Sequence, residues 1–483
     1  MWDNRVTASL RDAERSTPVD RNRSQPARPA PGCPDGQPFR ALRCPYRRND
    51  YNHRVLIYAL AIRSEWRRPF TLGPQLAMPR LPLLITAILA SPISAQLVDA
   101  SVCASRSAAA TKQPATIPID VYNNHVFVKV CVGERPLDLI LDTGAAATYL
   151  NLSTAERLGF KLGDRFDVGG AGPGTVAGAK LEGASVRLAG STIVQPVTSS
   201  LDISRMPPRE GHRVDGILGA DFIGRFVVAI DYVKQQLRLY DPRTYRYAGQ
   251  GTSLPFTFDQ NHFPIVDAEV KLADGAMLEG RMLVDVGSAA SLLLTKSFAD
   301  ENRLRERVGP TILRRGGGVG GGMFADVGRV AALKLGAVQL SRPITQLAGA
   351  AGAMNGTEEW VGNIGGEILR RFTVYLDYSN KRIILERHER TDEPFEADMA
   401  GIGLLMNDSL TTAWINNVVP GSAATDAGLA VGDTLVRVDG RPATAATIRE
   451  LRKRFRRDGE RIVLTVRRGG NDKTVTLVLR RLV

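Results

Sequence analysis

The stretch Leu139-Ile140-Leu141-Asp142-Thr143-Gly144-Ala145 decides the reading, because Met282-Leu283-Val284-Asp285-Val286-Gly287-Ser288 repeats its form. In each, an apolar run of strand length ends on Asp-x-Gly. A partner strand precedes each. One is Val126-Phe127-Val128-Lys129-Val130, leading through a Gly133-Glu134 turn; the other runs from Phe263 to Val270 and leads through Asp274-Gly275. Both read as hairpins. The copies stay in step downstream. Eleven residues past each Asp a short helical segment begins, near residues 153–158 and 296–299. A glycine-rich stretch follows in each, at 169–174 and 316–322. Then comes an apolar pair or near-pair with Gly: Ile217-Leu218-Gly219 in one copy, Asn363-Ile364-Gly365 in the other. Asp142 and Gly219 lie 77 positions apart, Asp285 and Gly365 80. The economical reading is two lobes of like design, 116–242 and 254–388, joined by a linker near 241–253.

Bulk composition agrees with β-rich globular domains. Hydrophobic residues make up 43% and charged residues 23% of 483 residues, which suits about three domains. Helix-period segments are short, and apolar runs of strand length recur. The net charge of +13 is unevenly spread: residues 1–77 hold fourteen Arg against seven acidic residues and so carry +7 of it. No aromatic repeat or known motif accompanies the basic stretches, so nucleic acid is not an expected partner. The sequence has no Cys-x-x-Cys and no Cys/His cluster, so no metal and no cofactor is implied. The glycine-rich stretches lack the Gly-Lys-Ser/Thr of a phosphate loop. His125, His212, His262 and His388 have no G-x-S-x-G partner and read as surface or packing residues.

A single Asp-Thr-Gly arises by chance on the order of once in ten chains of this length; the doubled constellation is the specific signal. Over roughly 116–390 it resembles the retropepsin-like aspartic peptidases. Residues 139–145 match that family's catalytic loop, and Ile217-Leu218-Gly219 matches the segment packed beside it. The resemblance implies a mainly β fold of two acid-protease-type barrel lobes, here within one chain, so that a monomer suffices. It implies Asp142 and Asp285 as a dyad that shares one proton, activates a water and hydrolyses a peptide bond in a peptide or protein substrate. Thr143, Gly144 and Gly287 would support the loops, the glycines allowing tight turns and close approach. The glycine-rich stretches would act as flaps. One position departs from the pattern. In the family the residue after each Asp is Thr or Ser, and its hydroxyl bonds across to the partner loop; Thr143 can do this and Val286 cannot. That departure keeps open the alternative of a catalytically degenerate polypeptide-binding protein or a scaffold.

Past a charged linker at 388–397, residues 398–483 change character. Pro420-Gly421-Ser422-Ala423-Ala424, Ala427-Gly428-Leu429, Gly432-Asp433 and Val438-Asp439-Gly440 follow one another in order. A helix is expected near 445–457 with Ile448, Leu451 and Phe455 on one face and a capping box from Thr447 and Glu450. A final hairpin is expected over 463–479. The segment resembles a PDZ domain, which implies a peptide added to a sheet edge with its terminal carboxylate held by the loop of Gly401, Ile402, Gly403 and Leu404. The PDZ module would recruit substrate or regulate access. Its basic run at 452–457 reads as a solvated helix face, with acidic peptides or an anionic membrane surface as further partners.

At the other end, Met78-Pro79-Arg80, the apolar run 81–90 and Ser91-Pro92-Ile93-Ser94-Ala95 form a cationic, apolar and small-residue succession. This reads as a signal peptide over 78–95 and export to a periplasmic or secreted location, or alternatively as a membrane anchor. Residues 1–77 then read as an over-extended or disordered N-terminus, and 96–115 as an N-terminal arm. In an oxidising compartment Cys103 and Cys131 could pair; two buried thiols are the equal alternative.

Overall fold

The computed structural model describes residue 103 and residues 114–204, 211–349, 359–407 and 409–483. The expected signal peptide, the segment before it and most of the arm lie outside the described residues. Each lobe is built on the hairpin expected from the repeat. His125–Val132 pairs with Arg135–Leu141, and Pro264–Lys271 pairs with Met277–Val284. The apolar end of each second strand is buried on both faces, and another short strand lies parallel to it and covers its edge. Leu139 to Leu141 run beside Gly216–Leu218, and Met282 to Val284 beside Gly362–Ile364.

The lobes meet in a shared sheet. Its central strands, Val227–Asp231 and Phe372–Asp377, come from different lobes and pair antiparallel with Ile230 opposite Val374. Outward from this pair lie Gln236–Tyr240 and Ala115–Tyr122 on one side, and Arg382–Arg387 and Thr252–Pro255 on the other. The order is the same read from either edge, so the lobes are related by a pseudo-twofold axis through that pair. One continuous apolar core, including Leu141, Leu218, Val284 and Ile364, runs through both lobes.

Each expected glycine-rich stretch forms a hairpin tip. Leu162–Gly169 turns into Thr175–Leu188, and Ile312–Gly318 into Gly321–Arg329. The two tips meet. Gly172 N–H donates to Val319 at 2.8 Å, and Gly174 N–H to Gly320 at 2.8 Å. A disulfide joins Cys103 to Cys131 of the first hairpin, which settles the open choice between a bridge and two thiols.

The C-terminal module has its own core. Its sheet runs Ile402–Met406, Ala413–Val418, Thr434–Val438, Arg461–Arg468, Asn471–Val478. Its long helix is Ala445–Arg454, ending three residues earlier than expected, with Ile448, Leu451 and Phe455 buried. The expected capping box does not form. Thr444 is the N-cap, because its backbone is still extended (φ −86°, ψ 167°) and its hydroxyl accepts from Thr447 N–H. Thr447 sits one turn inside and donates to the Pro442 carbonyl, while Glu450 pairs with Arg441. The basic run is not simply solvated. Arg452 donates to Leu404 O at 3.0 Å, Arg454 pairs with Asp439 and Glu460, and Arg456 reaches Glu367 of the second lobe at 2.9 Å.

Candidate active site

Asp142 and Asp285 come together. Each stands where an apolar strand leaves the parallel pairing, and its N–H is the last rung: Asp142 donates to Leu218 O at 3.0 Å, Asp285 to Ile364 O at 2.9 Å. The apolar-apolar-Gly motif has a steric origin. A Cβ on Gly219 would lie 2.3 Å from the Ala147 carbonyl oxygen, and one on Gly365 would lie 2.4 Å from that of Ala290. Only glycine lets the returning loop pass that closely.

The two Asp loops interlock. A Cβ on Gly287 would strike the Asp142 carboxyl carbon at 2.2 Å, and one on Gly144 would lie 3.2 Å from that of Asp285. Each carboxylate therefore rests on the glycine of the opposite loop. Gly144 N–H donates to Asp142 Oδ1 at 2.7 Å, and Gly287 N–H to Asp285 Oδ1 at 2.9 Å. The carboxyls share a hydrogen bond. Both retain a partly open edge at the cleft while protein surrounds their other sides.

Their environments differ. Burial and the charge of Asp285 push the Asp142 carboxyl well above the usual carboxylate range. Burial also raises Asp285, but the Asn363 amide, Asp142 and the Gly287 and Ser288 N–H groups act to keep it ionised. The two carboxyls titrate as a pair, with the larger number of hydrogen-bond donors on the Asp285 side. Asn363 Nδ2 donates to Asp285 Oδ2 at 2.7 Å. Asn363 is buried, and its Oδ1 has no partner.

Thr143 behaves as its hydroxyl predicts. Its Oγ1 donates to Val284 O at 2.6 Å and accepts from Val286 N–H at 2.9 Å, both across the lobe boundary. Val286 is buried and offers nothing polar in return. Two neighbours were not singled out from sequence as site residues. Asn124 donates to Ala289 O at 2.8 Å. His125 is buried, with the Gly287 backbone favouring its charged form, and its Nδ1 has no partner. Burial pushes the imidazole down to about 4, against the opposing pull of the Gly287 backbone, so it is neutral above that pH. Of the two readings of His125, surface or packing, the structure has the packing one: it is buried beside the second Asp loop.

The carboxyls open into a cleft of about 1870 Å3, roofed by the paired tips around Gly172 and Val319. That volume exceeds the usual range for small-molecule pockets and suits a stretch of polypeptide. Among the described residues, no group of three His, Cys, Asp or Glu side chains is placed to hold a metal ion.

Residues 128–222, spanning Asp142 and the first flap, match the family model described as aspartyl protease. Residues 414–468 match the model described as PDZ domain. The chain joins an aspartyl protease-like domain to a PDZ domain. Among solved structures, the aspartic proteinase from Irpex lacteus is similar over 58% of this chain and 98% of its own length, at 14% identity and a TM-score of 0.37. No curated protein matches the chain. In the PDZ domain, Ile402, Gly403 and Leu404 begin the edge strand and Gly401 immediately precedes it. Asp398 accepts from the Ala400 and Gly401 N–H groups just before it.

Proposed function

We propose that this aspartyl protease-like domain is a working endopeptidase in which Asp142 and Asp285 form the catalytic dyad. The observation that carries this is the interlock: each carboxylate lies against the other loop's glycine, and the pair is joined by a hydrogen bond. Asp285, surrounded by the Asn363, Gly287 and Ser288 donors, is the base that takes a proton from water. Asp142, holding the proton, polarises the scissile carbonyl and protonates its oxygen as the water adds. The paired flap tips would cover the substrate and exclude solvent.

The test is peptide cleavage from acidic to neutral pH by wild type, Asp142→Asn and Asp285→Asn. Cleavage by either variant at the wild-type rate removes the dyad. Val286 favours a second reading, a polypeptide-binding protein without turnover; binding of peptides by the wild type with no cleavage at any pH would establish it. We further propose export of the chain, supported by the Cys103–Cys131 bridge, since disulfides persist in oxidising compartments.

A further inference from the structure

The edge strand of the PDZ domain, Ile402–Met406, pairs only with Ala413–Val418 and ends the sheet. Its open side faces the helix Ala445–Arg454, because Arg452 reaches from that helix to the Leu404 carbonyl. A peptide strand added to this edge needs that carbonyl as an acceptor for its own N–H. The guanidinium of Arg452 therefore straps the groove and must leave that carbonyl before a peptide can pair there.

The structure shows what the groove's arginines prefer. One turn earlier on the same helix, Arg449 holds the Asp120 carboxylate of the first lobe with contacts of 2.6 and 2.7 Å. It also lies 4.6 Å from the Tyr122 ring. Asp120 is held down to about 2: burial opposes its ionisation, and His212 and Arg449 outweigh that. Beside them Lys453 is exposed. A carboxylate forms a stronger, charge-assisted bond to Arg452 than a neutral carbonyl does. Gly403, Arg449 and Arg452 also line the very cleft that holds Asp142 and Asp285.

We propose that the PDZ groove takes the acidic C-terminal tail of a polypeptide, with Arg452 drawn off Leu404 by a carboxylate side chain, and that the chain upstream of this tail enters the dyad cleft. The delivery step rests on the endopeptidase reading; the selectivity of the groove does not.

Binding is measured by fluorescence anisotropy on the full chain carrying Asp142→Asn, so that no probe is cut. Three labelled peptides are compared: one with two acidic residues among its last four, one with the matching amides, and the acidic one with an amidated terminus. The acidic free-acid peptide should bind about tenfold tighter than the neutral one, an advantage that shrinks with added salt. Amidation should weaken it, separating the terminal carboxylate from the side chains. Arg452→Glu should erase the preference and gain affinity for a lysine-bearing tail; Arg452→Gln should erase it without that gain. Equal binding of acidic and neutral tails, or capture by anionic vesicles without discrimination among peptides, overturns the proposal. Wild-type cleavage is then compared on one sequence carrying either tail. About tenfold higher kcat/KM with the acidic tail supports delivery. Equal cleavage of both overturns delivery and leaves the peptidase standing. Selective binding with no cleavage of either overturns delivery and the peptidase reading together, and leaves the groove's selectivity.

Discussion

Thr143 supplies a brace that can be moved. Its hydroxyl serves two backbone groups of the opposite loop, Val284 O and Val286 N–H, and is fully buried. Thr143→Val keeps the shape and removes both bonds. Each orphaned buried group costs about 1–3 kcal/mol, so the loss of two bonds should cost about 2–6 kcal/mol. For lobes of this size that is about 4–24 °C in Tm, with a fall in cleavage rate as the carboxylates lose alignment. The pseudo-twofold axis places residue 286 where a hydroxyl would meet Leu141 O and the N–H of residue 143. Val286→Thr should add the missing half, raising stability by about 1–2 kcal/mol and keeping or raising activity. The double variant Thr143→Val with Val286→Thr moves the brace to the other loop. It has as many bonds and as many orphaned groups as the wild type, so its Tm and initial rate should return close to wild type. Thermal unfolding and initial rates on one peptide check all three. A double variant no better than Thr143→Val alone would mean the loops are not related as described.

Three further outcomes follow from the site. His125 has a folded value of about 4 against an ordinary 6.5. The unfolded chain therefore binds the extra proton in that window, and stability falls as pH drops through it, by about 3 kcal/mol at pH 4. His125→Phe should lack this loss, so the stability difference between the two proteins, read from urea unfolding, should change between pH 7 and pH 4; a constant difference contradicts the assignment. Asn363→Leu removes the amide that favours the Asp285 carboxylate, so the acidic limb of the kcat/KM profile should move to higher pH. A bond to a charged group is worth about 1.5–3 kcal/mol, so activity on that limb should fall roughly tenfold or more; an unshifted limb would make Asn363 a packing residue. Gly172→Val puts a Cβ within 2.4 Å of the Gly320–Gly321 peptide. It should raise KM roughly thirtyfold through loss of two flap bonds of about 1 kcal/mol each, and lower Tm by at most about 4–8 °C.

The repeat made the two carboxylates legible, because equal spacing is a property of sequence. It also gave the hairpins, the flaps and the apolar strands beside the Asp loops. What it hid was whatever approaches from a distant element. His125 and the loop it contacts are far apart in the chain, and Arg449 lies 329 positions from Asp120. Yet Asn363 left a signal. It occupies the position where the first copy has Ile217, and a polar residue replacing a buried Ile in a repeat marks a place where symmetry is broken for a reason. The capping error had a local cause. Thr444 and Thr447 are both credible caps, and the choice depends on where the backbone leaves extended geometry, which residue type alone does not fix.

The broken symmetry bears on whether Val286 disables the site. Strand register makes Phe127 the counterpart of Ile265, since each faces the residue two before its Asp. By that register His125 corresponds to Phe263, and Asn124 to His262. The first lobe thus sends three polar side chains to the second Asp loop: Thr143 to residues 284 and 286, His125 to Gly287, and Asn124 to Ala289. Phe263, the partner of His125 by symmetry, has no polar group to send back. The loop that lacks its own hydroxyl is therefore the one held most heavily from across the axis. Asn363 adds a fourth hold from within its own lobe, directly on the carboxylate. In a dimer of identical chains such one-sidedness could not be encoded, because each substitution would appear in both halves. Within one chain it can, and it gives the two carboxyls different surroundings: the Asn363 amide and the Gly287 and Ser288 N–H groups favour charge on Asp285, while the charge of Asp285 disfavours it on Asp142.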